Sequence, residues 1–242
     1  MRGLAAACAA LLAAGLAAPP AAAACRQALA IGLDVSGSVD AREFALQTQG
    51  LATALRSDAV RAALLELPAR PVALAVFDWS GAEDQRLIVG WVEITEAAVL
   101  DSVAARIAQA ARIERSPATG VGAAILYGAR LISARPDCTR AVLDLTGDGL
   151  NNSGIAPRAV RLAPGPRPVT VNALVIGVDS DAGWDGGEPG IAELTAWFRA
   201  EVIRGPDAFV ETAIGFEEFA AAMERKLLRE LAVLQLSEAG RR

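Results

Sequence analysis

Apolar runs of strand length recur along the chain, separated by polar turns and by segments with helical periodicity. Four of these runs are ALAIGLDV from residue 28, PVALAVFDW from residue 71, RLIVGWVEI from residue 86 and PVTVNALVIGV from residue 168. Two further runs are TRAVLDLTGDG from residue 139 and DAFVETA from residue 207. The central runs do not alternate between apolar and polar residues, which indicates strands that are covered on both faces.

Helical patterns lie between these strands. We predict helices over residues 41–67, with a break near Ser57–Asp58, and over Glu96–Ile113, Val121–Ser133, Ile155–Leu162, Ile191–Val202 and Phe216–Leu236. Strands that alternate with helices predict an α/β fold with a doubly wound, mostly parallel sheet. The connection SGAEDQ between the second and third strands is short and predicts a hairpin, so the third strand should run antiparallel to the second. The last helix should pack on the sheet through an apolar stripe, which comprises Phe216, Phe219, Met223, Leu227 and Leu231.

The composition narrows the possible chemistry. With 242 residues, 53% of them hydrophobic, the chain is long enough to bury one sizeable core. The formal net charge is −5 and the arginines are scattered, which argues against a nucleic-acid-binding surface. The sequence contains no histidine, which excludes Ser-His-Asp and Cys-His catalysis and zinc sites with histidine ligands. Three cysteines do not make a four-thiolate site either, so any metal ion must be a hard cation with oxygen ligands.

The N-terminal segment has the features of a secretory signal peptide. Arg2 is followed by an Ala/Leu run, a Pro pair and Ala22–Ala24, which fits an A-x-A cleavage site. We predict a signal peptide over residues 1–24 and a periplasmic or secreted mature domain over residues 25–242. No later run has the ~20 apolar residues that a membrane span needs. Cleavage leaves Cys25 and Cys138, and two cysteines in an oxidising compartment suggest one disulfide, with a lipid on Cys25 as the alternative.

Oxygen-bearing side chains gather at the ends of the first and fourth strands. Asp34, Ser36 and Ser38 follow the first strand, Asp148 follows the fourth, and Thr119 precedes a helix. Residues two apart in an extended loop point to the same side, so the first three side chains can converge. In a doubly wound sheet, ligands bind beyond the carboxyl ends of the strands. These five side chains predict a divalent-cation site, with Mg²⁺ as the first choice and Mn²⁺ or Ca²⁺ as alternatives.

Ordinary local structure offers a second interpretation of these loops. The three residues after the first strand would then form a turn that leads into the next helix. We assign Asp40 as the N-cap of that helix, together with Glu43, and give it no role in metal binding. Asn151 and Asn152 either orient Asp148 or are simple turn residues.

The three separated motifs, in this order, resemble the von Willebrand factor A domain with its metal-ion-dependent adhesion site. That family's pattern is D-x-S-x-S, then a separate threonine, then an aspartate after the fourth strand, and these positions are filled by Asp34, Ser36, Ser38, Thr119 and Asp148. The phrases DVSGSVD, TGDGLNNSG and AFVETA are also similar to the bacterial exported family DUF1194, whose function is uncharacterised. The resemblance covers about Cys25–Leu236.

The resemblance implies the strand order 3-2-1-4-5-6, in which strands one and four are neighbours. Cys25 and Cys138 directly precede these strands, so the implied topology brings both sulfurs to the edge of the sheet opposite the cation. It also implies that a carboxylate from an Asp or Glu of a protein partner completes the shell of the ion. We therefore expect an exported, metal-dependent binding module that is a monomer on its own and is not an enzyme. The alternatives are a metal-assisted hydrolase, although no His, Cys or Lys stands beside the serines as a base, and a metal-free scaffold.

Overall fold

The described part of the chain contains one six-stranded sheet. The computed structural model describes residues 25–162, 165, 167–178 and 190–239, except for the side chains of residues 233–239, and the predicted signal peptide therefore lies outside it. The strands are β1 (Gln27–Asp34), β2 (Val72–Trp79), β3 (Gln85–Ile94), β4 (Arg140–Gly147), β5 (Val169–Gly177) and β6 (Val210–Ile214). Their order is β3-β2-β1-β4-β5-β6, and β3 alone runs antiparallel to its neighbour. The predicted doubly wound sheet and its strand order are confirmed.

Helices cover both faces of this sheet. They are α1 (Ala41–Arg56), α2 (Asp58–Leu65), α3 (Ala97–Ala108), α4 (Val121–Ser133), α5 (Ile191–Trp197) and α6 (Phe219–Ala239). Helices α1, α2, α3 and α6 bury apolar residues on one face, and α4 and α5 do so on the other. The predicted break near Ser57 is confirmed, since Ser57 ends α1 and its hydroxyl accepts a hydrogen bond from the Val60 N–H at 3.4 Å. All five residues of the predicted apolar stripe are buried, although the helix begins at Phe219 and Phe216 lies in the 3₁₀ turn before it.

Helix α3 is shorter than predicted and ends before Ile113. The residues beyond it form a loop that hydrogen-bonds to other elements. Arg86 Nη2 donates to the Ala111 carbonyl at 2.8 Å. From inside the loop, Arg112 Nη2 donates to the Val39 carbonyl at 2.9 Å. These bonds tie the loop between α3 and α4 to β3 and to the loop after β1, and no helical periodicity encodes them.

The short helix predicted over residues 155–162 is reduced to a single 3₁₀ turn at Pro157–Ala159. Arg204 accounts for the difference, because its guanidinium donates to the Pro157 carbonyl at 2.7 Å and to the Val160 carbonyl at 3.1 Å. The Pro157 carbonyl also accepts the Val160 N–H at 3.1 Å, which closes the single turn, and Arg204 binds the carbonyl groups at its end. The helix predicted over residues 191–202 is continuous, but its second half, Phe198–Val202, is a π-helical turn.

A disulfide joins Cys25 to Cys138, with their Cα atoms 4.2 Å apart. It lies at the amino-terminal edge of the sheet, where Cys25 precedes β1 and Cys138 precedes β4, and it packs with Ala28, Ala73 and Trp91. The expected pairing is therefore present, and the Cys25 sulfur is not available for a lipid thioether. None of the helices in the described ranges is both long enough and apolar enough to cross a membrane.

One charged cluster is buried between β4 and α6. Lys226 Nζ lies 2.5 Å from Asp144 Oδ1 and 2.7 Å from Glu230 Oε1, and Asn172 Nδ2 donates to Glu230 Oε1 at 2.8 Å. Burial, followed by the charge of Asp144, raises the pKa of Glu230 well above its usual value. Burial lowers the pKa of Lys226, but the charges of Asp144 and Glu230 outweigh it and leave that pKa raised. The cluster thus holds one permanent cation against two carboxyl groups, one of which favours its neutral form.

Candidate functional site

The loop after β1 places its polar groups at the carboxyl edge of the sheet. Asp34 is the last residue of β1 and is completely buried. The Ser36 N–H donates to Asp34 Oδ1 at 2.8 Å, which turns the chain back over the end of the strand. The Gly37 N–H donates to the Pro117 carbonyl at 2.9 Å, and a Cβ on Gly37 would come within 2.7 Å of the Pro117 ring. Glycine is therefore required where this loop passes the loop that carries Thr119.

The next helix begins with the predicted capping box. The Glu43 N–H donates to Asp40 Oδ1 and the Asp40 N–H donates to Glu43 Oε2, both at 2.8 Å. Asp40 is thus used as a helix cap, as predicted, and the loop between Asp34 and Asp40 is fixed at both of its ends.

Two of the remaining predicted ligands meet above Asp34. The Ser36 and Ser38 hydroxyl oxygens lie 3.3 Å apart, and the Ser38 hydroxyl donates to Asp148 Oδ1 at 2.7 Å. Asp148 follows β4, which is the direct neighbour of β1 in the sheet. The two loops therefore meet because their strands are adjacent, and Asp34, Ser36, Ser38 and Asp148 form one cluster of oxygen atoms.

Thr119 lies in a third loop, beside the loop that carries Asp148. It is buried, its N–H donates to Asn152 Oδ1 at 2.8 Å, and its carbonyl accepts from the Asn152 N–H at 2.9 Å. A Cβ on Gly149, the residue after Asp148, would lie 3.8 Å from Thr119 Oγ1. All five predicted site residues thus lie in loops that touch one another at the carboxyl edge.

The side chains of the two asparagines after Asp148 bond to the loop that carries Thr119 and to the start of α4. Asn152 holds Thr119 through the pair of hydrogen bonds described above, and Asn151 Oδ1 accepts from the Gly122 N–H at 3.2 Å. Their side chains fix the start of α4 and the threonine before it. These two asparagines therefore position the loop that carries Thr119, which faces Asp148 across the site.

Among the described residues, no positive charge balances the buried carboxylate of Asp34. Burial, and then the negative charge of Asp148, raise the pKa of Asp34 well above its usual value. Hydrogen bonds from the Ser36 N–H and hydroxyl and from the Asp148 N–H offset this only in part. In the described part of the chain, Asp34 Oδ2 is buried and meets no hydrogen-bond donor in good geometry. A buried carboxylate oxygen of this kind favours either a proton or a cation.

A network beneath the cluster was not identified from the sequence. The Asp34 N–H donates to Thr146 Oγ1 at 3.0 Å, the Thr146 hydroxyl donates to Gln47 Oε1 at 2.9 Å, and Gln47 Nε2 donates to the Asp34 carbonyl at 2.9 Å. The three residues are fully buried, and they tie the end of β1 to β4 and α1. The available signal was a pair of polar residues, Gln47 and Thr48, between Phe44 and Leu51 on the buried face of α1.

One protein family matches almost the whole of the described chain. The family model described as "Protein of unknown function (DUF1194)" matches residues 24–235. No curated protein matches the chain.

Three solved structures have a similar fold. Proximal thread matrix protein 1 from the mussel byssus has a TM-score of 0.58 at 17% identity, over 86% of this chain and 48% of its own. The pilus adhesin SpaC from Lactobacillus rhamnosus GG, in its open conformation, has a TM-score of 0.57 at 14% identity, over 87% of this chain and 30% of its own. A von Willebrand factor type A protein from Catenulispora acidiphila has a TM-score of 0.55 at 14% identity, over 86% of this chain and 43% of its own. This chain thus spans less than half the length of each, and at these identities the likeness establishes the fold.

The mussel protein has also been solved with a zinc-occupied metal-ion-dependent adhesion site. That form has a TM-score of 0.54 at 16% identity, over 86% of this chain and 46% of its own.

Proposed function

This chain belongs to the DUF1194 family and has the fold of a von Willebrand factor A domain, and from this premise we propose that it is an exported binding module. In this proposal a divalent cation is held by Asp34, Ser36, Ser38, Thr119 and Asp148, some of them through water. A carboxylate from an Asp or Glu of a protein partner completes the coordination. The ion would supply a positive charge at the rim that a partner carboxylate can reach.

The buried carboxylate of Asp34 is the observation that carries the proposal. A carboxylate that is removed from water without a partner costs several kcal/mol, so at neutral pH the group needs a proton or a cation. Asp148 lies close enough to add its own negative charge to this requirement. Because every side chain of the cluster offers oxygen, the donor set suits a hard ion such as Mg²⁺, with Mn²⁺ or Ca²⁺ as alternatives. The zinc-occupied site of the mussel protein supports a divalent ion in this fold.

Export is supported by the disulfide between Cys25 and Cys138, because such bonds persist in oxidising compartments. We propose a periplasmic or secreted protein on this basis. We also propose binding rather than catalysis. Each serine has a carboxylate beside it, Asp34 for Ser36 and Asp148 for Ser38, and both carboxylates are assigned to the ion and so would not serve as a general base.

The test is calorimetric titration of Mg²⁺ and Mn²⁺ into the exported chain, produced from the full sequence and purified from the periplasm of the host. We expect one site per chain, lost in Asp34→Ala and in Asp148→Asn. Asp40→Asn is the matched control, since it removes a nearby charge while asparagine keeps the helix cap. Wild-type protein that takes up neither ion, or an Asp148→Asn variant that binds as the wild type does, would refute the proposal.

A further inference from the structure

Exposed apolar side chains of the described residues are concentrated at one edge of the sheet. Six large ones are exposed, namely Leu87, Ile113, Leu126, Ile155, Val178 and Ile214. All but Leu126 lie at the ends of strands or in loops on the carboxyl edge, which is the edge of the proposed cation site. Of these, Val178 lies beside the proposed ligands, at the mouth of a pocket.

A pocket of about 320 Å³ opens beside the proposed ligands Ser38 and Asp148. Its apolar lining comes from Ile176 and Phe216, which are almost completely buried, and from Val178, which is 63% exposed at the lip.

Two glycines form part of the wall of this pocket. Gly177 ends β5, and Gly215 follows β6 with a φ of 73°, a conformation in which a side chain is strained. The Gly215 N–H donates to the Gly177 carbonyl at 2.8 Å, which holds the two strand ends together as one wall. The pocket is therefore built by the same strand ends that form the rim.

The charges around the pocket select against a second acid. Three carboxylates line it, from Glu43, Asp148 and Glu217, against the single guanidinium of Arg42. Arg42 is itself paired with Glu217 at 2.6 Å. A partner segment whose first carboxylate sits on the cation would bring its neighbouring residue over this pocket. An acidic neighbour would face like charges there, whereas an apolar one would find Ile176, Val178 and Phe216.

We infer that the partner presents one acidic residue flanked, within one or two positions, by an aliphatic or aromatic residue that enters this pocket. The inference rests on the proposed function, since the pocket gains its occupant only if the neighbouring carboxylate binds the cation. The acidic residue supplies the affinity for the ion, and the apolar neighbour supplies the choice among acidic partners. The occupant is thus a segment of another protein with the pattern acidic–apolar.

The probe is a bead-displayed library of heptapeptides with a fixed central aspartate, selected on the exported chain in millimolar Mg²⁺. We expect enriched peptides to release in chelator and to carry Leu, Ile, Val, Met or Phe on one side of the aspartate, without a second acid there. Replacing that apolar residue by alanine in a synthetic peptide should weaken binding roughly 3–10-fold, as expected for partial burial of one side chain.

Variants of the chain separate the pocket from the cation site. Val178→Ser removes the exposed apolar lip and should abolish the apolar preference while leaving Mg²⁺ affinity unchanged. Leu87→Ser is the matched control, because Leu87 is also exposed and apolar on the same edge but does not line the pocket. Glu217→Lys should admit an acidic residue at the flanking position, a change of specificity that loss of structure would not produce.

The outcomes that overturn the inference are distinct from those that overturn the proposed function. Peptides that depend on Mg²⁺ but show no apolar preference, or a preference that survives Val178→Ser, refute the pocket and leave the cation site standing. A library without any Mg²⁺-dependent peptide refutes the proposed function and the inference with it. A wild-type dimer in sedimentation that Val178→Ser dissociates would assign the pocket to a second copy of the chain and overturn the inference.

Discussion

Replacing the buried lysine of α6 tests how the fold tolerates acidic residues in its interior. Lys226→Met keeps the length and apolar stem of the side chain but removes the cation that faces Asp144 and Glu230. The wild-type cluster already favours a neutral Glu230, because burial and Asp144 raise its pKa. Without the lysine, the folded protein must therefore either bury an unpaired carboxylate or bind one further proton.

The size of the effect follows from the cost of that proton. A carboxyl group that titrates near 3.9 in the unfolded chain costs about 1.36 kcal/mol for each pH unit above this value at which it is kept neutral. The cost is about 4 kcal/mol at pH 7 and about 1.5 kcal/mol at pH 5. It agrees with the ~3–5 kcal/mol typical of breaking a buried ion pair. Because the variant must keep one more carboxyl group neutral, its loss of stability is absent below about pH 4 and grows as the pH rises.

Urea unfolding of the disulfide-bonded chain at pH 5 and pH 7 measures this free energy, provided that the slope with urea is unchanged. Arg225→Met on the same helix is the control, because Arg225 is half exposed and its pair with Glu211 should contribute only about 0–1 kcal/mol. Adding Asp144→Asn to Lys226→Met should recover most of the loss. A Lys226→Met variant that loses no more than Arg225→Met at pH 7, or loses more at pH 5 than at pH 7, would refute this account.

Three further results are expected. Gln47→Leu should weaken Mg²⁺ binding roughly 5–10-fold in calorimetry, as for one lost hydrogen bond of about 1 kcal/mol, whereas the buried control Thr48→Val should not; equal losses would contradict a positioning role for Gln47. Replacing Cys25 and Cys138 by serine should lower the free energy of unfolding by about 5 kcal/mol, from the loop that the bond closes, and an unchanged urea midpoint would argue against this. In metal-free buffer, stability should fall as the pH rises through the raised pKa of Asp34, with Asp34→Asn flattening the profile and Mg²⁺ restoring the wild type only; a flat wild-type profile would contradict the unpaired burial of this group.

The regular elements of the fold could be predicted from local pattern because their limits are set locally. Helix α4 has the predicted bounds, Val121–Ser133, and Asp40 caps α1 through residues three positions apart. The short turn after β2 was enough to predict the antiparallel β3. The strand order came from the resemblance that the motifs carry, and the structure agrees with it.

The errors occur where a side chain from a distant element replaces a local hydrogen bond. Arg86 is 25 residues from Ala111, and Arg204 is 47 residues from Pro157, yet each donates to a carbonyl in a segment for which a longer helix was predicted. Periodicity carries no information about such bonds. The same limit applies to Gln47, since a polar residue on the apolar face of α1 signals a buried hydrogen bond but does not name Asp34 and Thr146 as its partners.

Strand β4 contributes to two clusters around a buried acid, Asp144 in the interior and Asp34 at the rim, and the difference between them supports an exchangeable cation at the rim. Asp144 and Thr146 lie two residues apart on one face of the strand, the first against Lys226 of α6 and the second against Gln47 of α1. In the interior, the chain supplies its own cation. At the rim, no lysine or arginine of the described residues forms an ion pair with Asp34, although hydroxyl groups and a second carboxylate surround it. The fold pairs the buried Asp144 with a lysine but provides no such partner for Asp34 among the described residues. A cluster of oxygen ligands at an exposed edge is instead open to an ion from solution and to a partner carboxylate.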